Sequence, residues 1–164
     1  MYDWKLMDDT VTFMDRIKMA KFIMTSSRLT NGPQVRKFEE QWSDWLGVRH
    51  SLFVSSGSTA NSLLISSWKD LNDIPDGAKV IVPACTWVTN ISPIIQNNLT
   101  PIFCDINLLD YSFSLDGLYA IAEEHSDIRG IFVTHLLGFP ARIPEFQKIF
   151  PYADILEDVC ESHG

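Results

Sequence analysis

KVIVPACTWVTNISPIIQNNLTPIFCDI, residues 79–106, decides the architecture. It opens on an apolar, β-branched run at 79–82 and passes through a helical stretch at 86–97. It closes on a second apolar run at 101–105. Strand, helix and strand in that order form the βαβ unit, the usual way to join two parallel strands.

The same alternation continues outward in both directions. Further strands are predicted at 51–55, 130–134 and 154–157, and helices at 12–25, 33–46, 58–71, 115–124 and 144–150. In 33–46, Val35, Phe38, Trp42, Trp45 and Leu46 share a face; in 58–71, Ala60, Leu63, Leu64 and Trp68 do. Pro33 suits a first helical turn, and Gly47 suits a C-terminal stop. The sequence therefore predicts an α/β fold: a mostly parallel sheet with helices on both faces and right-handed crossovers.

The 164 residues suit one domain, and 46% hydrophobic residues with 21% charged is a folding composition. A net charge of −8 without basic runs argues against nucleic-acid or membrane-surface partners. No apolar stretch approaches the ~20 residues of a membrane helix, and MYDWKLMDDT carries no signal-peptide pattern. Three cysteines, Cys85, Cys104 and Cys160, are an odd number without C-x-x-C spacing. Neither a disulfide framework nor a metal site is expected, and a reducing cytoplasm is the default. The N-x-[ST] matches at Asn90 and Asn98 are then chance hits.

In parallel sheets ligands bind beyond the carboxyl ends of the strands. After the first predicted strand comes SSGSTAN, residues 55–61. Gly57 permits a tight turn, and Ser58 and Thr59 bring hydroxyls and N–H groups to a helix N-terminus. That arrangement suits a phosphate, or simply caps the helix. After the second, Trp87 begins a helix and either stacks on a flat ligand or packs as a core Trp. In LEDVCESHG, residues 156–164, Glu157 and Asp158 alternate in direction. Asp158 calls for a cationic partner, unless it is a helix cap or a surface acid. In VTHLLGFPA, residues 133–141, His135 is a ligand contact or a satisfied core imidazole. A phosphate cradle, a flat aromatic and an acid on three strand ends together describe pyridoxal 5′-phosphate.

With LTNGPQVRKFE at 29–39 and PACTWVTNISPIIQNNLTPIFCDI at 83–106, these motifs resemble the DegT/DnrJ/EryC1/StrS family of pyridoxal-phosphate-dependent sugar aminotransferases, in its order and approximate spacing. The resemblance implies the N-terminal part, residues 1–164, of an incomplete fold-type-I large domain. It assigns the cofactor phosphate to Gly57, Ser58 and Thr59, ring stacking to Trp87 and the ring nitrogen to Asp158. Glu161 falls near the ring hydroxyl, where relatives often have Gln; His163 and Gly164 belong to the motif without a defined role. Asn98 stands where relatives commonly have Gly, and Asn tolerates the left-handed conformation.

Family members attach the cofactor to a Lys about two dozen residues beyond the position of Asp158. The seven lysines here (Lys5, Lys18, Lys21, Lys37, Lys69, Lys79 and Lys148) all lie elsewhere. The resemblance therefore implies a fragment without the Schiff-base Lys, the last strands or the small domain. Without those strands the first and fifth would lie about three spacings, roughly 14 Å, apart, with open sheet edges. For the intact enzyme it implies a homodimer that moves an amino group, commonly from glutamate, onto a nucleotide-linked keto sugar. The second expectation is the dehydratase branch of the family, which has His for Lys, uses the pyridoxamine form and in some members holds an iron–sulfur cluster near the position of Cys160. The third is a non-catalytic remnant or partner subunit.

Overall fold

The computed structural model describes residues 10–163. MYDWKLMDD and Gly164 lie outside the described residues. The chain divides into two compact units, Met1–Phe53 and Val54–Gly164.

In the first unit, Thr12 caps α1 (Phe13–Thr25): its hydroxyl accepts the Asp15 N–H and the Asp15 carboxylate accepts the Thr12 N–H. This reciprocal box satisfies two donors that the helix leaves open, and it holds the Asp15 carboxyl below the usual range. α2 (Pro33–Leu46) has the predicted bounds, and Gly47 ends it in the left-handed conformation at φ 71°. Phe38 stacks on Trp42 at 5.7 Å and meets Phe53 edge-on at 5.3 Å. The strand predicted at 51–55 does not form. A strand exists through its ladder, and this segment has no ladder partner among the described residues. The Phe53 N–H donates instead to Glu39 Oε1 at 2.9 Å.

The second unit carries α3 (Gly57–Leu71), β1 (Lys79–Pro83), α4 (Ser92–Gln96), β2 (Thr100–Cys104), α5 (Leu115–Glu124), β3 (Ile128–Thr134), α6 (Ile143–Ile149) and β4 (Asp154–Asp158). The four strands are all parallel, in the order β2-β1-β3-β4. Val80 and Val82 point to one face, packing with Ile65, Trp68, Ile94, Phe132 and Leu156. Ile81 points to the other, with Ile131, Val133, Leu118 and Phe146. α3 and α4 thus cover one face, and α5 and α6 the other. The chain steps from β1 outward to β2, then reverses across β1 to β3 and β4. The covering face changes at the reversal, as crossovers of one hand require.

Two helical readings are corrected. The stretch 86–97 is a 3₁₀ turn, Val88–Asn90, followed by the short α4, because Pro93 belongs in a first turn and restarts the helix. On α3 the buried face is Asn61, Ile65 and Trp68, while Ala60 and Leu63 are exposed. The face is turned by one residue because a polar side chain, Asn61, points inward. The Trp68 ring lies against the strand at Gly130, where a Cβ would stand 2.9 Å from its Cη2. Its Nε1–H donates to Asp154 Oδ2 at 2.9 Å. Among the described residues no helix is long and apolar enough to cross a membrane.

Candidate active site

Strand order reverses between β1 and β3, and the crevice above their carboxyl ends is where such sheets bind ligands. A cavity of about 500 Å³ opens there. That lies within the roughly 300–1,000 Å³ of small-molecule sites. The first turn of α3 contributes Gly57 and Ser58, the segment after β1 contributes Trp87 and Asn90, and the end of β4 contributes Asp158 and Glu161. Sequence-predicted residues from one helix start and two strand ends therefore line one cavity.

α3 begins with a capping box. Ser56 Oγ accepts the Thr59 N–H at 3.2 Å, and Thr59 Oγ1 accepts the Ser56 N–H at 3.0 Å. The Thr59 hydroxyl also donates to the Ser56 carbonyl at 2.8 Å. Thr59 is thus committed to the cap and is not on the cavity wall. Gly57 and Ser58 are on it, and a helix leaves their N–H groups without internal partners. A Cβ on Gly57 would meet nothing within 4 Å.

Asp158 is half-buried. Its Oδ2 accepts Asn61 Nδ2–H at 2.9 Å and Asn90 Nδ2–H at 3.0 Å. Its Oδ1 accepts the Cys160 N–H at 3.1 Å. The contacts are amide donors and the Cys160 thiol rather than the expected cation, and among the described residues this carboxylate forms no ion pair. Asn61 and Asn90 were missed by sequence reasoning. A signal was present: Asn61 stands four residues before Ile65 and seven before Trp68, a helical spacing that puts it on the buried face. Asn90 is fully buried, which removes it as a glycosylation acceptor.

Trp87 is 72% exposed, so it is not a core Trp, and its indole stands on the cavity rim. Thr86 and Thr134, also unforeseen, join their hydroxyls at 2.7 Å across the reversal point. Glu161 Oε2 accepts the Leu137 N–H at 2.7 Å, bracing a turn in which Leu137 has φ 55° and Gly138 φ 83°. Glu157 faces the opposite layer. There it meets Nε2 of His135 at 2.9 Å, while Nδ1 of that ring accepts the Ala141 N–H at 3.2 Å. With Nδ1 accepting, the neutral ring carries its proton on Nε2 and donates to Glu157, so His135 is a satisfied core imidazole. Asn98 adopts the anticipated left-handed conformation at φ 58°.

Cys85 and Cys160 lie on the cavity wall, whereas Cys104 is buried in β2. Burial first, and then the neighbouring Asp105 charge, pushes the Cys104 thiol up to about 11. Partial burial and the Asp158 charge raise that of Cys160. At pH 8, iodoacetamide is expected to alkylate Cys85 and to spare Cys104 until denaturant is added. Peptide mass mapping checks this, and equal labelling of the two in the folded protein would contradict it.

A family model described as the DegT/DnrJ/EryC1/StrS aminotransferase family matches residues 13–164. The GDP-4-keto-6-deoxy-D-mannose 3-dehydratase of Yersinia pseudotuberculosis is 36% identical over 146 residues, 87% of this chain and 37% of that protein. The dTDP-3-amino-3,6-dideoxy-alpha-D-galactopyranose transaminase of Aneurinibacillus thermoaerophilus is 27% identical over 135 residues, 81% of this chain and 36% of that protein. The chain spans under two fifths of the length of these curated relatives. Among solved structures, E. coli GDP-4-keto-6-deoxy-D-mannose-3-dehydratase with bound hydrated PLP superposes with a TM-score of 0.87 at 28% identity, covering 100% of this chain and 42% of that one.

Proposed function

The chain belongs to the DegT/DnrJ/EryC1/StrS aminotransferase family, and from that premise we propose that it is the cofactor-holding part of an enzyme that modifies a nucleotide-linked sugar with pyridoxal 5′-phosphate or its amine form. In this assignment residues 1–164 are the N-terminal part of the large domain. One observation carries it: the Asp158 carboxylate, fixed by two amides and bonded to no cation, shares a cavity with an open helix N-terminus and an exposed indole.

The residues fit the cofactor. A protonated pyridine nitrogen is the cation that Asp158 lacks. Gly57 and Ser58 present N–H groups to the phosphate, and the open space at Gly57 admits it. Thr59 takes part by holding the turn. Trp87 would stack on the ring face, and Glu161, which braces the turn at Leu137, would lie near the ring hydroxyl. When bound, the cofactor supplies an electron sink for carbanion chemistry at the sugar. The protein's part is to hold a proton at the ring nitrogen through Asp158 and to orient the ring. Glutamate as amino donor and a homodimer complete the proposal.

Between the two reactions of the family, we place the chain with the 3-dehydratases, an order opposite to the one the motifs suggest. The support is its higher identity to a protein named as a 3-dehydratase, 36%, than to one named as a transaminase, 27%. By the resemblance, dehydration goes with a His and transamination with a Lys about two dozen residues beyond Asp158. Coding DNA downstream of codon 164 discriminates them: a Lys there overturns the dehydratase assignment.

The cofactor site itself is tested by equilibrium dialysis of the protein with pyridoxamine 5′-phosphate, paired with thiol footprinting. Saturable binding that protects Cys85 and Cys160 from alkylation is expected, because both line the cavity. Absence of saturable binding, or binding that leaves both thiols as reactive as before, would count against the site.

A further inference from the structure

Asp158 takes its orientation from two side-chain amides on different elements, Asn61 in α3 and Asn90 at the end of the 3₁₀ turn after β1. Both bond the same oxygen, Oδ2, at 2.9 and 3.0 Å. Reversing either amide would set oxygen against a carboxylate oxygen, so Asp158 dictates which way each amide points. Asn90 bears a visible cost for that choice: its Oδ1 is buried without a partner. Buried polar atoms are rarely left so, and each such case needs a cause. Here the cause is the bond to Asp158. Asn61 is held in turn, because its Nδ2 also meets Thr89 Oγ1 at 3.4 Å. Oδ1 of the carboxylate accepts the Cys160 N–H. Rotating the carboxylate would therefore break contacts to three segments of the chain.

We propose that Asn61 and Asn90 form a charge-neutral clamp, two positioning residues that hold the Asp158 carboxylate rigid while leaving its negative charge for a ligand's protonated ring nitrogen. This rests on the cofactor assignment above. The choice of residue type is the point. An Arg or Lys at either position would orient Asp158 equally well but would neutralise it, and the ligand would lose its counter-charge. Two amides orient without neutralising. The other titratable groups on the cavity wall are Cys85, Cys160 and Glu161, whereas Glu157 and His135 face the opposite layer.

The test uses the variants Asn61→Leu and Asn90→Leu, which keep the branching of Asn and replace its amide with two methyl groups. Asn90→Leu also removes the orphaned Oδ1, which offsets part of the cost of its larger side chain at a fully buried position. Each variant is expected to bind pyridoxamine 5′-phosphate about tenfold more weakly. With ¹⁵N-labelled cofactor, the ring nitrogen is expected to lose its proton about one pH unit earlier in each variant, the pH equivalent of that tenfold loss. A purely structural role would move the melting temperature and not the ring-nitrogen titration. Affinity within twofold of the parent, with an unchanged ring-nitrogen titration, overturns the clamp. The cofactor-free protein supplies an independent readout: the side-chain amide signals of Asn61 and Asn90 are expected to shift together with pH, and to lose that dependence in Asp158→Ala. Amide signals that ignore Asp158 also overturn the clamp. If the parent protein binds no cofactor, the functional assignment falls, and the amide signals still report on the clamp.

Discussion

Replacing Asp158 with Ala is expected to weaken pyridoxamine 5′-phosphate binding on the order of 100-fold, the loss usual when one partner of a buried, hydrogen-bonded charge pair is truncated. The size follows from what Asp158 touches. Its contacts are N–H donors from Asn61, Asn90 and the Cys160 backbone together with the Cys160 thiol, and among the described residues it forms no ion pair. A ring N–H⁺ is thus the first positive partner it meets, in a half-buried setting where water screens the pair less than at the surface. Truncation also leaves the Asn61 and Asn90 amides facing each other with no shared acceptor. Asp158→Asn separates the two effects. It keeps the volume but removes the charge, and its NH2 group meets either both Asn amides or the Cys160 N–H as donor against donor. Both variants are expected to fail in equilibrium dialysis while Glu161→Gln, which keeps an acceptor for the Leu137 N–H, retains most of the affinity. An Asp158→Ala protein that binds the cofactor within threefold of the parent would remove Asp158 from the site.

What could be read from the sequence tracks what local chemistry determines. α2 and α5 have the predicted bounds because Pro33 and Gly47 punctuate one, and Ser114 caps the other by accepting the Gly117 N–H. The four strands were visible as short apolar runs, and the segments just after them were the ones read for a ligand. Residues 51–55 have the same composition and no ladder, since pairing depends on neighbours that a sequence window does not contain. The cavity wall was legible where a backbone requirement or a buried charge marked it, at Gly57 and Asp158. Asn61 and Asn90 escaped because polar residues in helical stretches usually face water. Only the contact across 97 residues from Asn61 to Asp158 turns that expectation around. His135 illustrates the converse: the sequence left it as a ligand contact or a satisfied core imidazole, and its bonds to Glu157 and a backbone N–H in the opposite layer make it the second.

Trp68→Ala is expected to cost about 3–5 kcal/mol of folding stability, at the upper range for emptying a buried aromatic site. Against the roughly 5–15 kcal/mol that holds a typical domain together, that is a large share of the total stability. Three contributions converge on this ring. It is buried among Ile65, Val80, Phe132 and Leu156, where α3 meets the sheet. Its Nε1–H bonds Asp154 Oδ2 across 86 residues, so removal leaves a carboxylate oxygen at the start of β4 without that donor. It also fills the space over Gly130 that any other residue's Cβ would occupy. Trp68→Phe is expected to lose only part of this, keeping most of the bulk while forfeiting the indole bond, worth about 1–3 kcal/mol because its acceptor is charged. The Gly130 contact makes the assignment testable by a cycle. Gly130→Ala alone is expected to destabilise by about 1–3 kcal/mol, because its methyl meets a packed aromatic edge. In the Trp68→Ala background the same change should be nearly neutral, since the obstructing ring is gone and the new methyl enters the space it left. Urea unfolding of the four proteins gives the coupling directly. Additive losses would mean that the ring and the strand do not share that space.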